Sequence, residues 1–591
     1  MRILIVALIL AAGSAAAQLP DGYWTTDRTR GILDATLSVT LDPDLDHLSK
    51  AEQQAVIELL AAGQVMNDLY EAQRHRQATA ARQALLQLHE DSGESVATGN
   101  LLDLWYLSKG PIATTLENER LAFVPVDPEQ PGKTVYPDGL TRDEIDRYLA
   151  ENPSASADLL SVRSVVRRAT ASNLAADTSQ LDRFPGIDAL HLGLREKLES
   201  LERNSESLYA VPYALAYAPQ LAVVRKHLVA AADLLRTESP DFAAYLDNKG
   251  RDLLSSNYES GDASWVSGDF DGLNIQIGSY ETYDDSLFGV KAFFSASVLA
   301  RDEEKSRALE SAIAGLQAIE DSLPYEHQKM VNTRLPVGVY NVIADFGQAR
   351  GANTATILPN DADYSRKYGR TILLRNNIMT NPDIFADRKK RFDAVIDACC
   401  RNHLSSEGGF NRTLWHEIGH YLGVSKTADG RDLDSALADL SDLYEELKSD
   451  LVSLFATPAL RRAGYYDDAG MRAVYASGIR RTLQVVRPRA EQPYQNMQLM
   501  QFNFYMENGL IGPDPESGLL VINYSRYHDV VTELLRRVLQ IQYAGDRARA
   551  QAFVERWAYW DDDLHGGLAG RMLGTDAYRR TMVRYKALSG E

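Results

Sequence analysis

The spacing of apolar residues predicts a chain made mostly of helices. Apolar positions recur with the helical period of 3.6 in several long stretches. The stretches are residues 45–88, 190–254 and 307–323, and nearly everything after Arg388.

A few strands are predicted between these helical stretches. Polar and apolar residues alternate with a period of two over residues 274–283 and again over 290–299, which predicts a β-hairpin or two neighbouring strands. Residues 336–344 and 371–374 are predicted as further strands. The pattern therefore predicts an α+β fold, mainly helical, with one modest sheet.

The length of 591 residues exceeds what one hydrophobic core usually supports, so two lobes are expected. We assign residues 18–300, with strands from 336–380, to a mixed lobe. Residues 301–335 and 381–591 are assigned to a mostly helical lobe that carries the candidate chemistry described below.

The first seventeen residues have the pattern of a secretory signal peptide. Arg2 precedes an apolar run, and small residues at positions 15–17 end it as Ala-Ala-Ala. The apolar run is too short to span a membrane, and no later segment reaches about 20 continuous apolar residues. We therefore expect export without a membrane anchor, and the short leader suits a bacterial periplasm.

Charge and cysteine content narrow the possible partners. The net charge is −20, and no block of basic residues occurs, which argues against a nucleic-acid partner. The two cysteines, Cys399 and Cys400, are adjacent. They are predicted to be two thiols or a vicinal disulfide, and they lack the spacing of a metal site.

The strongest chemical signal is the sequence HEIGH at residues 416–420. Two histidines four residues apart lie one turn apart on one face of a helix, so His416 and His420 can bind the same ion. Glu417 then stands beside that ion as a general base. This arrangement is typical of zinc hydrolases, and we expect one Zn²⁺ per chain.

A second acidic cluster follows at residues 445–450. Glu446 lies 26 residues after His420 and is the natural third zinc ligand, which leaves the fourth position for water. Asp450 lies one turn beyond Glu446, and with Glu445 it belongs to the cluster expected to hold the ligand histidines in their orientation. We expect a first helix capped by Asn411 and ended near Gly423, and a second one over residues 432–455.

Several separate segments resemble the dipeptidyl peptidase III family of zinc metallopeptidases, especially its shorter bacterial members. They are the HEIGH helix and its acidic partner, GSYETYDDSLFG at residues 278–289, LPN at 358–360 and YHDVVTELLRRVL at 527–539. The resemblance implies two lobes around a wide cleft: a lower lobe with a β-barrel-like sheet and an upper helical lobe that holds the zinc. It also implies an exopeptidase that releases dipeptides from the free amino end of short peptides.

The resemblance also implies roles for residues outside the metal motif. Glu281 and Asn360 correspond to residues that bind the amino terminus of the peptide. Tyr283 corresponds to a hydroxyl that supports the tetrahedral intermediate, and it is expected on the same strand face as Glu281. His528 corresponds to a histidine that lies opposite the metal, and Glu417 to the base that activates water beside the zinc.

Two positions depart from the pattern of that family. Ile357 stands where an asparagine usually helps to hold the amino terminus, which leaves Glu281 and Asn360 for that task. Asp450 replaces a glutamate and has a shorter side chain. The loss of a polar partner can weaken the preference for cutting after two residues.

Two other functions remain open from the sequence. One is a thermolysin-like endopeptidase or a simple aminopeptidase, because the metal ligands alone permit it. The other is a catalytically silent peptide-binding protein. Ile357 argues for this function, and the presence of Glu417 argues against it.

Overall fold

The computed structural model describes residues 19–331, 336–349, 351, 353–489 and 492–589. The predicted signal peptide at residues 1–17 lies outside the described residues. None of the described helices is long and apolar enough to cross a lipid bilayer.

Helices dominate the first half of the described chain. Several begin at a hydroxyl or carboxylate side chain that accepts a backbone hydrogen bond, as Ser49 does before α2. The helices are α1 (Thr26–Leu33), α2 (Lys50–Arg74), α3 (Ala78–Asp91), α4 (Val96–Ser108), α5 (Arg142–Glu151), α6 (Ser156–Leu159), α7 (Ala171–Arg183), α8 (Pro185–Leu190), α9 (Leu194–Ser200), α10 (Tyr213–Ala216), α11 (Ala218–Leu235), α12 (Pro240–Ser255) and α13 (Glu259–Ser267).

The second half is also mostly helical, as predicted. Its helices are α14 (Glu303–Ile313), α15 (Leu316–Ser322), α16 (Ala362–Tyr368), α17 (Asn376–Met379), α18 (Pro382–Asp393), α19 (Ala398–Arg401), α20 (Ser406–Gly419), α21 (Leu433–Leu437), α22 (Ser441–Phe455), α23 (Thr457–Arg462), α24 (Asp468–Thr482), α25 (Pro493–Glu507), α26 (Tyr527–Ala544), α27 (Arg547–Trp557) and α28 (Gly567–Leu573).

The strands form one five-stranded sheet and several two-stranded ribbons. They are β1 (Thr36–Leu41), β2 (Ile112–Thr114), β3 (Arg120–Ala122), β4 (Ser164–Ala169), β5 (Asn204–Pro212), β6 (Leu273–Ser279), β7 (Phe294–Arg301), β8 (Val337–Gly347), β9 (Ala355–Leu358), β10 (Thr371–Arg375), β11 (Ile511–Pro513), β12 (Leu520–Ile522) and β13 (Arg580–Tyr585). The large sheet has the order β6-β7-β8-β10-β9. The pair β8 and β10 is parallel, whereas the other pairs are antiparallel, and β9 lies at one edge.

Two large hydrophobic cores support a two-lobe α+β fold, which confirms the predicted class. One core lies between the five-stranded sheet and helices such as α2, α11 and α12. The other lies among α20, α22, α24 and α26. The last strand, β13, pairs with β1 and places Val583 and Tyr585 in the first core. The residue boundaries of the lobes stay a prediction.

Several predicted boundaries were wrong. The helix of the HEIGH motif begins at Ser406 instead of after Asn411, because the Ser405 side chain accepts a hydrogen bond from the backbone N–H of Gly408. The helix predicted over 432–455 is interrupted at Ala438, where φ is +52°. Strand β5 interrupts the helical stretch predicted over 190–254.

The two strands predicted as a hairpin or as neighbours are confirmed as the antiparallel pair β6 and β7, but β6 ends at Ser279. Glu281 and Tyr283 therefore lie beyond the strand and not on one strand face. The cysteines, for which the sequence left two states open, are free thiols with their Sγ atoms 2.8 Å apart.

Candidate active site

The two helices of the metal motif, α20 and α22, pack at very short distance. A side chain at Gly419, the glycine within HEIGH, would place its Cβ 2.9 Å from the backbone oxygen of Ser449 on α22. Only glycine permits this approach without displacement of the helices. The close contact brings Glu446 on α22 next to the two histidines at the end of α20.

The side chains of His416, His420 and Glu446 converge on one point. One ligand atom of each residue lies within 4.8 Å of those of the other two. Glu446 Oε2 lies 3.1 Å from His416 Nε2 and 3.9 Å from His420 Nε2. Ligand atoms around a tetrahedral zinc ion, with bonds of about 2.0–2.1 Å, lie about 3.3 Å apart. The spacing therefore fits a zinc ion.

The hydrogen bonding of this cluster also fits a metal. Among the described residues, Glu446 Oε2 is buried and accepts no hydrogen bond. A buried carboxylate oxygen without a partner is costly unless a cation or water satisfies it. Two imidazole nitrogens and one carboxylate oxygen form a donor set found in catalytic zinc sites. The residues present therefore suit the ion that the sequence predicted.

Both histidines are held from behind by acidic residues. His416 Nδ1 lies 2.8 Å from Asp450 Oδ1, and His420 Nδ1 lies 2.9 Å from Glu445 Oε1. A carboxylate at Nδ1 keeps that nitrogen protonated and leaves the Nε2 lone pair for the metal. Asp450 therefore lies behind His416, and Glu445 lies behind His420.

These two carboxylates are themselves fixed by buried cations and amides. Arg412 forms an ion pair with Asp450 Oδ1, and Gln501 donates to Asp450 Oδ2 over 3.1 Å. The ammonium of Lys448 donates to Glu445 and also to the carbonyl oxygens at the end of α20. Lys448 therefore stabilises the C-terminus of the metal helix and orients Glu445 with one side chain.

The charges around the histidines set their protonation in the absence of a metal. Burial lowers the pKa of His416, but the nearby carboxylates of Asp450 and Glu446 outweigh it and raise this pKa to about 9. Burial raises the pKa of Glu445, but Lys448 and His420 lower it to about 2. The acidic residues therefore remain ionised at neutral pH, and a proton occupies His416 where the metal would bind.

Metal affinity should consequently rise with pH. The raised pKa of His416 means that its protonation stabilises the metal-free protein. This stabilisation is fully present below about pH 6.5 and is lost as the pH rises through about 9. A metal ion must displace this proton, so we expect about tenfold tighter zinc binding per pH unit between pH 7 and 9. Competition with a chelator of known proton affinity measures the zinc affinity at each pH. A zinc affinity that does not change over this range would contradict the assignment of His416 as a ligand.

A cleft of about 480 Å³ lies between the metal cluster and the five-stranded sheet. Glu417 lines it from α20, and Glu281 and Tyr283 line it from the segment that follows β6. Ile357 of the edge strand β9 also lines it. The cleft thus brings together residues that are distant in the sequence, with a candidate base at one side and a candidate amino-terminus binder at the other.

The backbone around Glu281 is fixed by the residue that precedes it. Tyr280 is buried, and its hydroxyl donates to Asp262 over 2.6 Å within a buried ion pair of Asp262 and Lys249. The carbonyl oxygen of Glu281 accepts a hydrogen bond from Phe293 N over 3.1 Å. Burial raises the pKa of Glu281. The carboxylate therefore projects into the cleft from a rigid support.

Asn360 lies beside Glu281 but does not line the cleft. Its side-chain amide donates to the carbonyl oxygen of Tyr280 over 3.0 Å. Tyr283 lines the cleft with a side chain that is 82% exposed. In this arrangement Asn360 supports the segment that carries Glu281. Burial raises the pKa of Tyr283, and a hydrogen bond to Glu281 raises it further, so the two side chains are linked within the cleft.

His528 is not brought to the metal cluster. It lies at the start of α26, where its ring stacks on Phe455 at a centroid distance of 5.3 Å. Phe455 is nine residues beyond Glu446 on α22, or about 13 Å along the helix axis. The role implied for His528 by the resemblance therefore stays a prediction.

Sequence reasoning missed most of the other residues that line the cleft, and Tyr494 and Arg375 are notable among them. Tyr494 lines it, and its hydroxyl donates to Glu446 Oε1 over 2.9 Å. Arg375 is fully buried at the end of β10 and lines it as well, and its Nε and Nη1 have no hydrogen-bond partner among the described residues. Neither residue belongs to a motif. The one available signal was the arginine that directly follows the apolar run Ile-Leu-Leu in strand β10.

Comparisons with known sequences and structures show which proteins this chain resembles. No family model matches the chain. The chain is 25% identical over 568 residues to Nudix hydrolase 3 of Arabidopsis thaliana, a match that covers 88% of this chain and 69% of the plant protein.

Two solved structures share the fold. The structure of DPP III from Caldithrix abyssi matches with a TM-score of 0.78 and 22% identity, over 95% of this chain and 99% of that one. The structure of dipeptidyl-peptidase III from Corallococcus sp. strain EGB matches with a TM-score of 0.70 and 22% identity, over 95% and 98% of the two chains. The chain therefore has the fold of the dipeptidyl peptidase III structures.

Proposed function

We propose that this protein is a zinc-dependent dipeptidyl peptidase that releases dipeptides from the free amino end of short peptides. The observation that carries the proposal is the joint placement of a His-His-Glu cluster, a carboxylate next to it and a second carboxylate across one cleft. The fold shared with two dipeptidyl peptidase III structures supports the same conclusion.

His416, His420 and Glu446 would hold the zinc ion. When bound, the ion supplies a Lewis acid that polarises the scissile carbonyl group and lowers the pKa of the attacking water. Asp450 and Glu445 keep the two imidazoles oriented for this task. Tyr494 holds the other oxygen of Glu446, so that Oε2 alone faces the histidines.

Glu417 carries the proton in the proposed reaction. It takes a proton from the attacking water as the new carbon–oxygen bond forms. It then gives that proton to the leaving amine as the carbon–nitrogen bond breaks. Tyr283 would donate its hydroxyl to the developing oxyanion, and His528 would assist it from the opposite side of a closed cleft.

The release of two residues would depend on Glu281. An ionised carboxylate binds the substrate ammonium, and the distance from that carboxylate to Glu417 sets how many residues precede the scissile bond. Ile357 lines the same cleft and offers no polar group, so most of the amino-terminal recognition falls on Glu281. Asn360 would contribute by holding the carbonyl oxygen of Tyr280 in place.

The variant Glu281→Gln separates recognition of the amino terminus from catalysis. We expect KM for a free-amino peptide to rise about tenfold or more, because a charged hydrogen bond contributes about 1.5–3 kcal/mol. The turnover of bound peptide should change less. Steady-state kinetics on a tetrapeptide measures both. Glu304→Gln, at an exposed glutamate in the first turn of α14, is the matched control.

Amino-terminally acetylated peptides distinguish the alternatives. Equal cleavage of free and acetylated tetrapeptides would favour a thermolysin-like endopeptidase. Release of single amino acids would favour an aminopeptidase. Binding of peptides without turnover by the zinc-loaded protein would favour the silent binding protein.

Export to a bacterial periplasm remains part of the proposal.

A further inference from the structure

A group of basic side chains lies at the N-terminal end of α20, the helix that carries HEIGH at its other end. A small cavity of about 50 Å³ adjoins the N-terminus of α20. Arg388 of α18 and Arg480 of α24 line it. Ser406 and Thr413 of α20 line it as well, so the cavity combines charged and hydroxyl groups.

Neither of the two arginines is paired directly with a carboxylate among the described residues. Neither Arg388 nor Arg480 forms an ion pair within 4.0 Å or donates a hydrogen bond to an oxygen there, whereas Lys389, which also lines the cavity, is paired with Asp393. The acidic residues close by have other partners, although the charge of Asp387 also acts on Arg388. Asp387 lies 3.6 Å from Lys390, and Glu407 pairs with Lys305 over 2.8 Å.

The mutual repulsion of these cations is marked. Burial lowers the pKa of Arg480, and the nearby Arg388, Arg412 and Arg481 lower it further, to about 9. Burial also lowers the pKa of Arg388. Both arginines are half-buried, and arginine is almost always charged in proteins, so an anion in the cavity would offset the repulsion between them.

The N-terminus of α20 adds to the positive potential. This helix has 14 residues, and its first turn points its N–H groups toward the cavity end of the helix. Ser405 satisfies only one of them, the N–H of Gly408. Helix N-termini with nearby arginines and hydroxyl groups are favourable surroundings for oxyanions.

We propose that this cavity binds a small inorganic oxyanion of the phosphate or sulfate class between Arg388 and Arg480. The volume accommodates more than one water molecule, at about 30 Å³ of liquid each, but not a nucleotide. Two guanidinium groups supply paired donors for tetrahedral oxygens. The inference is independent of the proposed peptidase activity, because it uses none of the metal ligands or cleft residues.

The test is a calorimetric titration of the zinc-loaded protein with phosphate and, separately, with sulfate, at constant ionic strength in a chloride buffer. Saturable binding near one equivalent is expected for the wild type. We expect Arg480→Gln and Arg388→Gln each to weaken it about tenfold or more, since each removes a charged donor. Arg472→Gln, an exposed arginine on the same helix α24 as Arg480, is the matched control and should bind as the wild type does.

Thermal unfolding provides a second readout. Phosphate or sulfate should raise the unfolding temperature of the wild type and of Arg472→Gln, but not that of Arg480→Gln. In chloride alone, Arg480→Gln should be at least as stable as the wild type. An equal rise in all variants would indicate a general salt effect and overturn the proposal. The absence of saturable binding would also overturn the proposal. Phosphate binding that is the same in Arg480→Gln and Arg388→Gln as in the wild type would overturn it too, because it would place the anion on the zinc ion.

Discussion

Glu417→Gln should abolish nearly all peptide hydrolysis while it leaves the metal centre intact. The amide has the size of the carboxylate but cannot accept the proton of the attacking water. General-base catalysis typically contributes about 10²–10⁴-fold, so kcat should fall by that factor. Glu417 lies outside the trio whose atoms converge, so zinc should still bind at one equivalent. Steady-state kinetics together with metal analysis measures both effects.

Glu407→Gln is the matched control for this variant. Glu407 is exposed on the same helix α20, and its substitution should leave kcat near that of the wild type. A Glu417→Gln protein that retains more than about a tenth of the activity, with one zinc bound, would contradict the role of Glu417 as the base.

Asp450→Ala should cause the largest loss of stability and also weaken metal binding. The substitution leaves Arg412 buried without its partner, and the breaking of a buried ion pair costs about 3–5 kcal/mol. It also removes the carboxylate at His416 Nδ1, and the loss of such a group typically costs about 10–100-fold in metal affinity. Denaturant unfolding and zinc competition measure the two effects.

Asp442→Ala, on the same helix α22, is its control. Asp442 is exposed in the first turn, so its loss should cost less than about 1 kcal/mol and leave the zinc affinity unchanged. Similar unfolding free energies and similar zinc affinities for the two variants would show that Asp450 does not support the site as described.

Local spacing was enough to predict the metal cluster. His416 and His420 are related by one helical turn, and Glu446 and Asp450 by another, so each pair shares a face before any tertiary contact forms. The alternation in β6 and β7 likewise predicted a hairpin or two neighbouring strands, and the structure contains them as an antiparallel pair.

The parts that depend on tertiary contacts were not predictable in the same way. Strand β6 ends at Ser279, and the buried Tyr280 is bonded to Asp262 and Lys249, which are separated from it by many residues. The link from Tyr494 to Glu446 and the meeting of Arg388 with Arg480 join separate helices. No periodicity within a single segment encodes such pairs.

The beginning of the metal helix shows the same limit. Asn411 is a good capping residue, but Ser405 caps the helix first, and the glycines that follow it lie within the helix. A side chain at Gly408 would place its Cβ 2.4 Å from the backbone of Ala473 on α24. Tertiary packing thus selects glycine at a position where local propensity disfavours a helix.

The most direct test of the account is the mass of the first product released from a free-amino hexapeptide with six different residues. The zinc-loaded wild type should release the dipeptide of residues 1 and 2 first and that of residues 3 and 4 next, and chelation of the metal should stop both. Release of residue 1 alone, an internal cut as the first event, or an intact hexapeptide with zinc bound would contradict the account.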